Sequence, residues 1–209
     1  MPRKSSTPGS CSLCQADLKK TTAAKHLATC LARTSGRTDY VIVRAEGPGI
    51  DGDDYWLYAA VPAECTLKDL DRFLRRVWLE CCGHMSGFRS GRMSIPMSAK
   101  VGQFDIGEKL VHEYDFGDTT ELVITFGEAV TAGKLSGRER IKVIARNLPP
   151  EKKCECGKTA QYICPVCACE GEGWLCPDCG EDHECGTPDD MLLPATNSPR
   201  CGVCGYEGP

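Results

Sequence analysis

Apolar and polar positions divide the chain into three stretches. Between residues 39 and 150 the pattern is periodic. Residues 39–46 and 55–61, rich in Val, Ile, Tyr and Trp, read as two strands. Pro48, Gly49 and Asp51-Gly52-Asp53 mark the loop between them. Leu67, Leu70, Leu74, Val77, Trp78 and Cys81 then recur along one helical stripe. Thr66 is the N-cap of that helix, Asp69 completes a variant capping box, and Gly83 stops it. Residues 84–90 read as a short strand. Residues 110–116 and 119–126 predict a hairpin turning on Gly117-Asp118. On its second strand Leu122, Ile124 and Phe126 alternate toward a core, while Glu121 and Thr125 face away. Residues 140–147 form a last strand. The expected fold is α+β, a mostly antiparallel sheet with one main helix.

The flanks lack this periodicity and carry cysteines instead. Of 16 cysteines, three lie in residues 1–38, three in 39–150 and ten in 151–209. Charge divides the same way, at +6, −3 and −7 for the three stretches within a total of −4. The boundaries fall at Thr34-Ser35-Gly36-Arg37 and Asn147-Leu148-Pro149-Pro150, which read as linkers. The start, MPRKSSTPGS, has no apolar stretch of an export signal, and no apolar run approaches the roughly 18 residues of a membrane span. A cytoplasmic setting is expected, and there closely paired cysteines bind metal more often than they form disulfides. Small zinc-stabilised modules are therefore expected on both sides of the sheet domain.

In residues 1–38, Cys11, Cys14, His26 and Cys30 follow the spacing C-x2-C-x11-H-x3-C. Tetrahedral zinc takes four such ligands, and the first pair suits a tight turn. His26 and Cys30 share one face of a helix over residues 21–31, capped by Thr21 or Thr22. Leu18 and Leu27 supply a small core. Lys19, Lys20, Lys25, Arg33 and Arg37 make the module basic, able to meet the phosphates of DNA or RNA. A solvated basic knob on a structural finger explains the same charges.

In residues 151–209 the pairs run in series: Cys154/Cys156, Cys164/Cys167, Cys176/Cys179, His183/Cys185 and Cys201/Cys204. Alternation of the first four predicts two interleaved sites. One uses Cys154, Cys156, Cys176 and Cys179, the other Cys164, Cys167, His183 and Cys185. That order resembles the cross-brace of a B-box or MYND-type finger. Cys201/Cys204 is a good knuckle and can replace His183/Cys185, and Cys169 is spare. So few apolar residues lie here that metal must supply the stability. Four protein ligands per site point to structural rather than catalytic zinc, about three ions in all. A net −7 suits a protein partner better than nucleic acid.

Three catalytic signals in the middle stretch compete with structural readings. Cys81-Cys82-Gly83-His84 lies at the expected helix C-terminus, where the dipole disfavours a thiolate, and Cys81 falls on the apolar stripe. These thiols read as packing residues. Glu113, Asp115 and Asp118 near His112 read as solvated carboxylates at a hairpin tip, with His112 on the opposite face. Asp115-Phe116-Gly117 echoes a kinase motif but has no phosphate loop or catalytic loop beside it.

Residues 55–88 (YWLYAAVPAECTLKDLDRFLRRVWLECCGHMSGF), HEYDFGDTTEL at 112–122, ARNLPP at 145–150 and MLLPATNSPRCGVCGY at 191–206 resemble the plasmid pRiA4b ORF-3-like family. Its members are also labelled insertion-element passenger TnpR proteins, and some carry a Cys/His finger like that of residues 1–38. The resemblance implies an α+β domain with a Cys-rich tail and an association with mobile elements. It implies no activity, and no serine-recombinase pattern accompanies the TnpR label. The family tail has Met before Gly-Val-Cys where this chain has Cys201, which favours His183/Cys185 as the fourth tail pair.

The leading expectation is a non-catalytic zinc-binding accessory protein. Its finger would touch nucleic acid, and its core and tail a protein partner. A pure protein-interaction adaptor is the alternative. A metal-assisted hydrolase using His84 or the 113/115/118 carboxylates comes third and requires a metal with an open position.

Overall fold

The computed structural model describes residues 7–50, 52–185 and 192–209. The expected turn residue Asp51, and Met191 of the tail motif, lie outside the described residues.

The central element is a nine-stranded sheet in the order β2-β1-β9-β4-β3-β8-β7-β5-β6, with every pairing antiparallel. Its strands are β1 (Gly9–Cys11), β2 (Asp17–Leu18), β3 (Thr38–Pro48), β4 (Asp54–Pro62), β5 (Ser86–Ser90), β6 (Met93–Ile95), β7 (Lys109–Tyr114), β8 (Thr120–Ala132) and β9 (Lys142–Asn147). The fold is α+β, as the periodicity predicts. Alternation along β8 holds: Leu122, Ile124 and Phe126 are buried, whereas Glu121 is exposed and Thr125 half-buried.

Each face of the sheet carries one helix. Helix α2 (Leu67–Leu74) covers the first face, with Leu67, Leu70, Phe73 and Leu74 against Val41, Val43, Leu57, Leu122, Ile124 and Phe126. Its start is the expected capping box. The Asp69 backbone N–H donates to Thr66 Oγ1, and the Thr66 N–H donates to Asp69 Oδ2. Helix α1 (Ala23–Ala32) covers the second face, with Leu27 and Leu31 against Tyr40, Ile42, Trp56 and Tyr58. Residues 7–38 thus share both sheet and core with the middle stretch. Strand β1 pairs with β9, and Gly9 is needed there because a Cβ would meet Arg146 O at 2.3 Å and the Trp56 ring at 2.5 Å.

Two expectations give way. The apolar stripe predicted a helix running to Gly83, but α2 ends at Leu74 and continues as a π-helical turn over Arg75–Leu79. The wider turn buries both Trp78 and Leu79, leaves Val77 and Cys81 half-buried, and directs Glu80 into extended backbone. The hairpin expected to turn on Gly117-Asp118 pairs Tyr114 with Thr120, so five residues form the connection. Asp115 takes the left-handed conformation (φ 65°), and Asp115 Oδ1 accepts from the Gly117 N–H.

The tail contains α3 (Pro165–Ala168), α4 (Pro177–Glu181) and a small sheet, order β11-β10-β12, of β10 (Tyr162–Ile163), β11 (Trp174–Leu175) and β12 (Leu193–Pro194). Among the described residues its apolar cluster is Ile163, Ala168, Leu193 and Cys201, with Trp174 against them. After β12 the chain docks on the large sheet. Ser198 Oγ donates to Trp78 O, Trp78 Nε1 donates to Asn197 O, and Asn147 and Asn197 exchange two hydrogen bonds. No helix among the described residues is long and apolar enough to cross a membrane.

Candidate metal centres

Among the described residues, four groups of Cys and His bring their ligand atoms within 4.8 Å of one another. No disulfide joins any of the 16 cysteines. Four sulfurs about 2.3 Å from one zinc stand about 3.8 Å apart, and a sulfur and an imidazole nitrogen about 3.5 Å. A disulfide holds its sulfurs about 2.05 Å apart. The distances within these groups match the metal geometry.

The first group is Cys11, Cys14, His26 and Cys30. Cys11 ends β1 and Cys14 sits in the turn before β2, where Gln15 takes a positive φ of 64°. One turn of α1 places His26 and Cys30 side by side. Cys14 Sγ and His26 Nε2 are 3.3 Å apart. The Ala16 backbone hydrogen bond draws the Cys14 thiol below its usual pKa, and burial pushes Cys30 up to about 11. Thr22 occupies the N-cap position without capping the helix; its hydroxyl donates to Lys19 O instead.

The tail groups are interleaved as the alternation of pairs predicts. Cys154, Cys156, Cys176 and Cys179 form one, with 3.6 Å between the Cys156 and Cys176 sulfurs. Cys164, Cys167, His183 and Cys185 form the other, with 3.5 Å from Cys164 to Cys185 and 3.6 Å from Cys167 Sγ to His183 Nε2. Each CPxC pair wraps the start of a short helix with proline in its first turn. Gly173 (φ 92°) lets the chain pass Cys164, where a Cβ would stand 2.9 Å from the carbonyl. Backbone hydrogen bonds from Cys176 and Cys156 draw Cys154 down to about 6, and bonding to the Cys154 sulfur pushes Cys179 up to about 12. Burial opposes ionisation of Cys164, but hydrogen bonds from Cys167 and His183 outweigh it and draw the thiol to about 7. The protein therefore stabilises a first thiolate in each tail group before any ion is counted.

No family model and no curated protein matches the chain. Among solved structures it is similar to MM3350, a protein of unknown function from Methanosarcina mazei Go1. The two share 16% identity over 51% of this chain and 69% of that one, with a TM-score of 0.42.

The fourth group, Cys81, Cys82, His84 and Cys204, has no counterpart among the sequence expectations. Those place Cys81 and Cys82 as packing residues at a helix C-terminus. The π-helical turn instead carries them off the helix, leaving Cys81 half-buried and Cys82 exposed. Cys201, the other thiol of the Cys204 knuckle, is buried and outside every group, and its sulfur accepts from the Thr196 N–H at 3.3 Å. The signal available in the sequence was what the partition leaves over. With Cys201 set aside, Cys204 is a lone knuckle thiol, and Cys81, Cys82 and His84 supply the other three donors.

The carboxylates expected at the hairpin tip are dispersed. Glu113 pairs with Arg89, Asp118 accepts from Arg200 through its backbone carbonyl, and His112 lies in the core bonded to Asp71. Asp115, expected in solvent, is buried against Arg200 at 2.6 Å. The basic patch is also smaller than its sequence count. Lys20 is held by Glu46 at 2.9 Å and Asp54 at 2.5 Å, while Lys19, Lys25, Arg33 and Arg37 are exposed.

Proposed function

We propose that this chain is a non-catalytic, zinc-built binding protein. Structural zinc occupies the three terminal Cys/His groups, the exposed basic edge of the finger contacts DNA or RNA, and the core and acidic tail engage a protein partner. The observation that carries the reading is the convergence of four protein donor atoms in each group. Four such donors complete a tetrahedral shell and leave no position for a substrate or an activated water. The donor set, sulfur with imidazole nitrogen and no carboxylate, favours zinc over magnesium or calcium. Cysteines gathered into donor groups rather than disulfides fit a reducing, cytoplasmic setting.

Metal also sharpens the charge division. A site of three cysteines and one histidine lowers the formal charge by one, and an all-cysteine site lowers it by two. Two of the first kind and one of the second take the chain from −4 to −8. The finger stays basic at +5 and the tail reaches −10. Lys19, Lys25, Arg33 and Arg37 supply the exposed charge for phosphate. The motif resemblance to the pRiA4b ORF-3-like family supports mobile-element association, on sequence alone.

The adaptor reading is favoured by one observation. Lys20 is already neutralised by two carboxylates, and the outer side of α1 presents Ala24 and Ala32 beside a single lysine. Removing residues 1–38 cannot separate the two readings, because it strips Leu27 and Leu31 from the core. Charge reversal can. The full chain should shift a short DNA or RNA duplex at low salt, with affinity falling steeply as salt rises. Lys25→Glu/Arg33→Glu/Arg37→Glu should abolish the shift while keeping the zinc content. A wild-type chain that shifts no nucleic acid at low salt would leave the adaptor reading standing.

A further inference from the structure

We propose that Cys81, Cys82, His84 and Cys204 form a fourth zinc site, one that pins the end of the tail to the sheet domain. The site adds to the three terminal ones and does not depend on them.

The four ligand atoms lie within 4.8 Å of one another, close enough to share one ion. Cys82 Sγ lies 3.6 Å from Cys81 Sγ, 3.4 Å from Cys204 Sγ and 3.0 Å from His84 Nε2, and His84 Nε2 lies 3.4 Å from Cys204 Sγ. Three of the four values are within about 0.4 Å of the edges expected around zinc, the Cys82–His84 distance is shorter, and both sulfur–sulfur distances are far from the length of a disulfide. Three sulfurs and one imidazole nitrogen are the donors of a structural zinc site.

The surroundings are built for that ion. His84 presents Nε2 to the sulfurs and turns Nδ1 toward Asp115 Oδ1, 3.5 Å away. A carboxylate behind a ligating imidazole fixes the ring and its tautomer. Asp115 is itself fixed, accepting from the Gly117 N–H and from Arg200. Arg200 Nη2 also approaches Cys81 Sγ at 3.5 Å, and the Tyr114 hydroxyl lies 3.7 Å from the same sulfur. The guanidinium beside that sulfur favours its thiolate, the form that binds metal, whereas the phenol donates its one proton to Glu80 Oε1 at 3.0 Å.

The placement gives the site its role. Three donors come from the segment after the π-helical turn, and the fourth comes from the knuckle at Gly202–Gly205, 122 residues from Cys82. Cys204 takes a positive φ of 52°, which turns its sulfur back toward the sheet. The hydrogen bonds of Asn197, Ser198 and Arg200 run along the same seam. One ion there closes the loop that contains the two tail zinc groups, holding the acidic module against the domain.

The test is zinc per chain, measured by native mass spectrometry on the full protein purified under reducing conditions. Wild type should carry four zincs. Cys82→Ser and Cys204→Ser should each lose one, while Cys169→Ser, an exposed thiol outside every group, should keep four. Amides of residues 192–209 should exchange faster in the first two variants than in wild type. Three zincs in wild type, unchanged in Cys82→Ser and Cys204→Ser, would overturn the fourth site and leave the terminal three intact. Fewer than three would reject the terminal reading separately. If the variants fail to fold, the wild-type count decides alone. A Cys82–Cys204 disulfide in that protein would equally overturn the proposal.

Discussion

Arg200 is fully buried, and replacing it tests how the tail is held. Its guanidinium donates to Asp115 Oδ2 at 2.6 Å, Asp118 O at 2.9 Å and Thr120 Oγ1 at 3.0 Å, and stands 4.8 Å from the Tyr114 ring centre. Arg200→Met fills much of the volume but leaves the Asp115 carboxylate buried without its counter-ion. Breaking a buried pair from one side costs about 3–5 kcal/mol. Asp115→Asn keeps an acceptor for the Gly117 N–H and tolerates the left-handed backbone, so its cost comes mainly from the stranded guanidinium. The double variant strands neither charge. Its cost should fall short of the summed single costs by about 2 kcal/mol or more. The assay is urea unfolding at fixed free zinc, since any bound ion adds to apparent stability. Additive costs, with coupling below about 0.5 kcal/mol, would refute a buried pair as the tail's anchor.

Three further outcomes follow from the same contacts. Asp71 is buried beside His112 at 2.8 Å; burial raises its pKa, but the hydrogen bond from His112 outweighs that and holds the carboxyl below its usual range. Its stabilisation is therefore present above about pH 4 and lost as pH falls through the lowered folded value. Asp71→Asn should cost about 1.5–3 kcal/mol at neutral pH and flatten the acid limb of the stability profile, and an unchanged acid limb would contradict the assignment. Trp56→Ala removes a fully buried ring that packs edge-on against Tyr58 and donates to Thr7 O. It should cost about 3–5 kcal/mol in urea unfolding, and a loss under about 1 kcal/mol would show that the finger does not share the core. Lys20→Met should leave nucleic-acid affinity within about twofold, because its charge is already neutralised; a loss matching that of Arg33→Glu would refute this.

The sheet is legible in the sequence where one face of a strand is buried and the other is not. Leu122, Ile124 and Phe126 are buried and alternate with the less buried Glu121, Val123 and Thr125, and the pleat forces the assignment. Thr66 and Asp69 mark the start of α2 because a capping box is local in sequence. Its end is not legible, since the stripe extends equally well through an α-helical or a π-helical turn until packing of Trp78 and Leu79 selects one. The terminal Cys/His groups are legible because each draws its donors from one short stretch, with proline or glycine at the turns of the tail pairs and Gln15 at that of the finger. The fourth group is hidden for the opposite reason. Two of its donors are adjacent, and Cys204 comes from the far end of the chain, so no spacing announces it. Asp115 reads as a solvated turn residue because its partner, Arg200, also lies in the tail.

The claim that this is a zinc-built rather than a zinc-catalytic chain is most directly tested by X-ray absorption at the zinc edge of the purified full-length protein. With the four groups filled, the average zinc should see about three sulfurs near 2.3 Å and about one nitrogen near 2.0 Å, with no oxygen shell. A first shell dominated by oxygen or nitrogen, or one holding a bound water, would contradict the account.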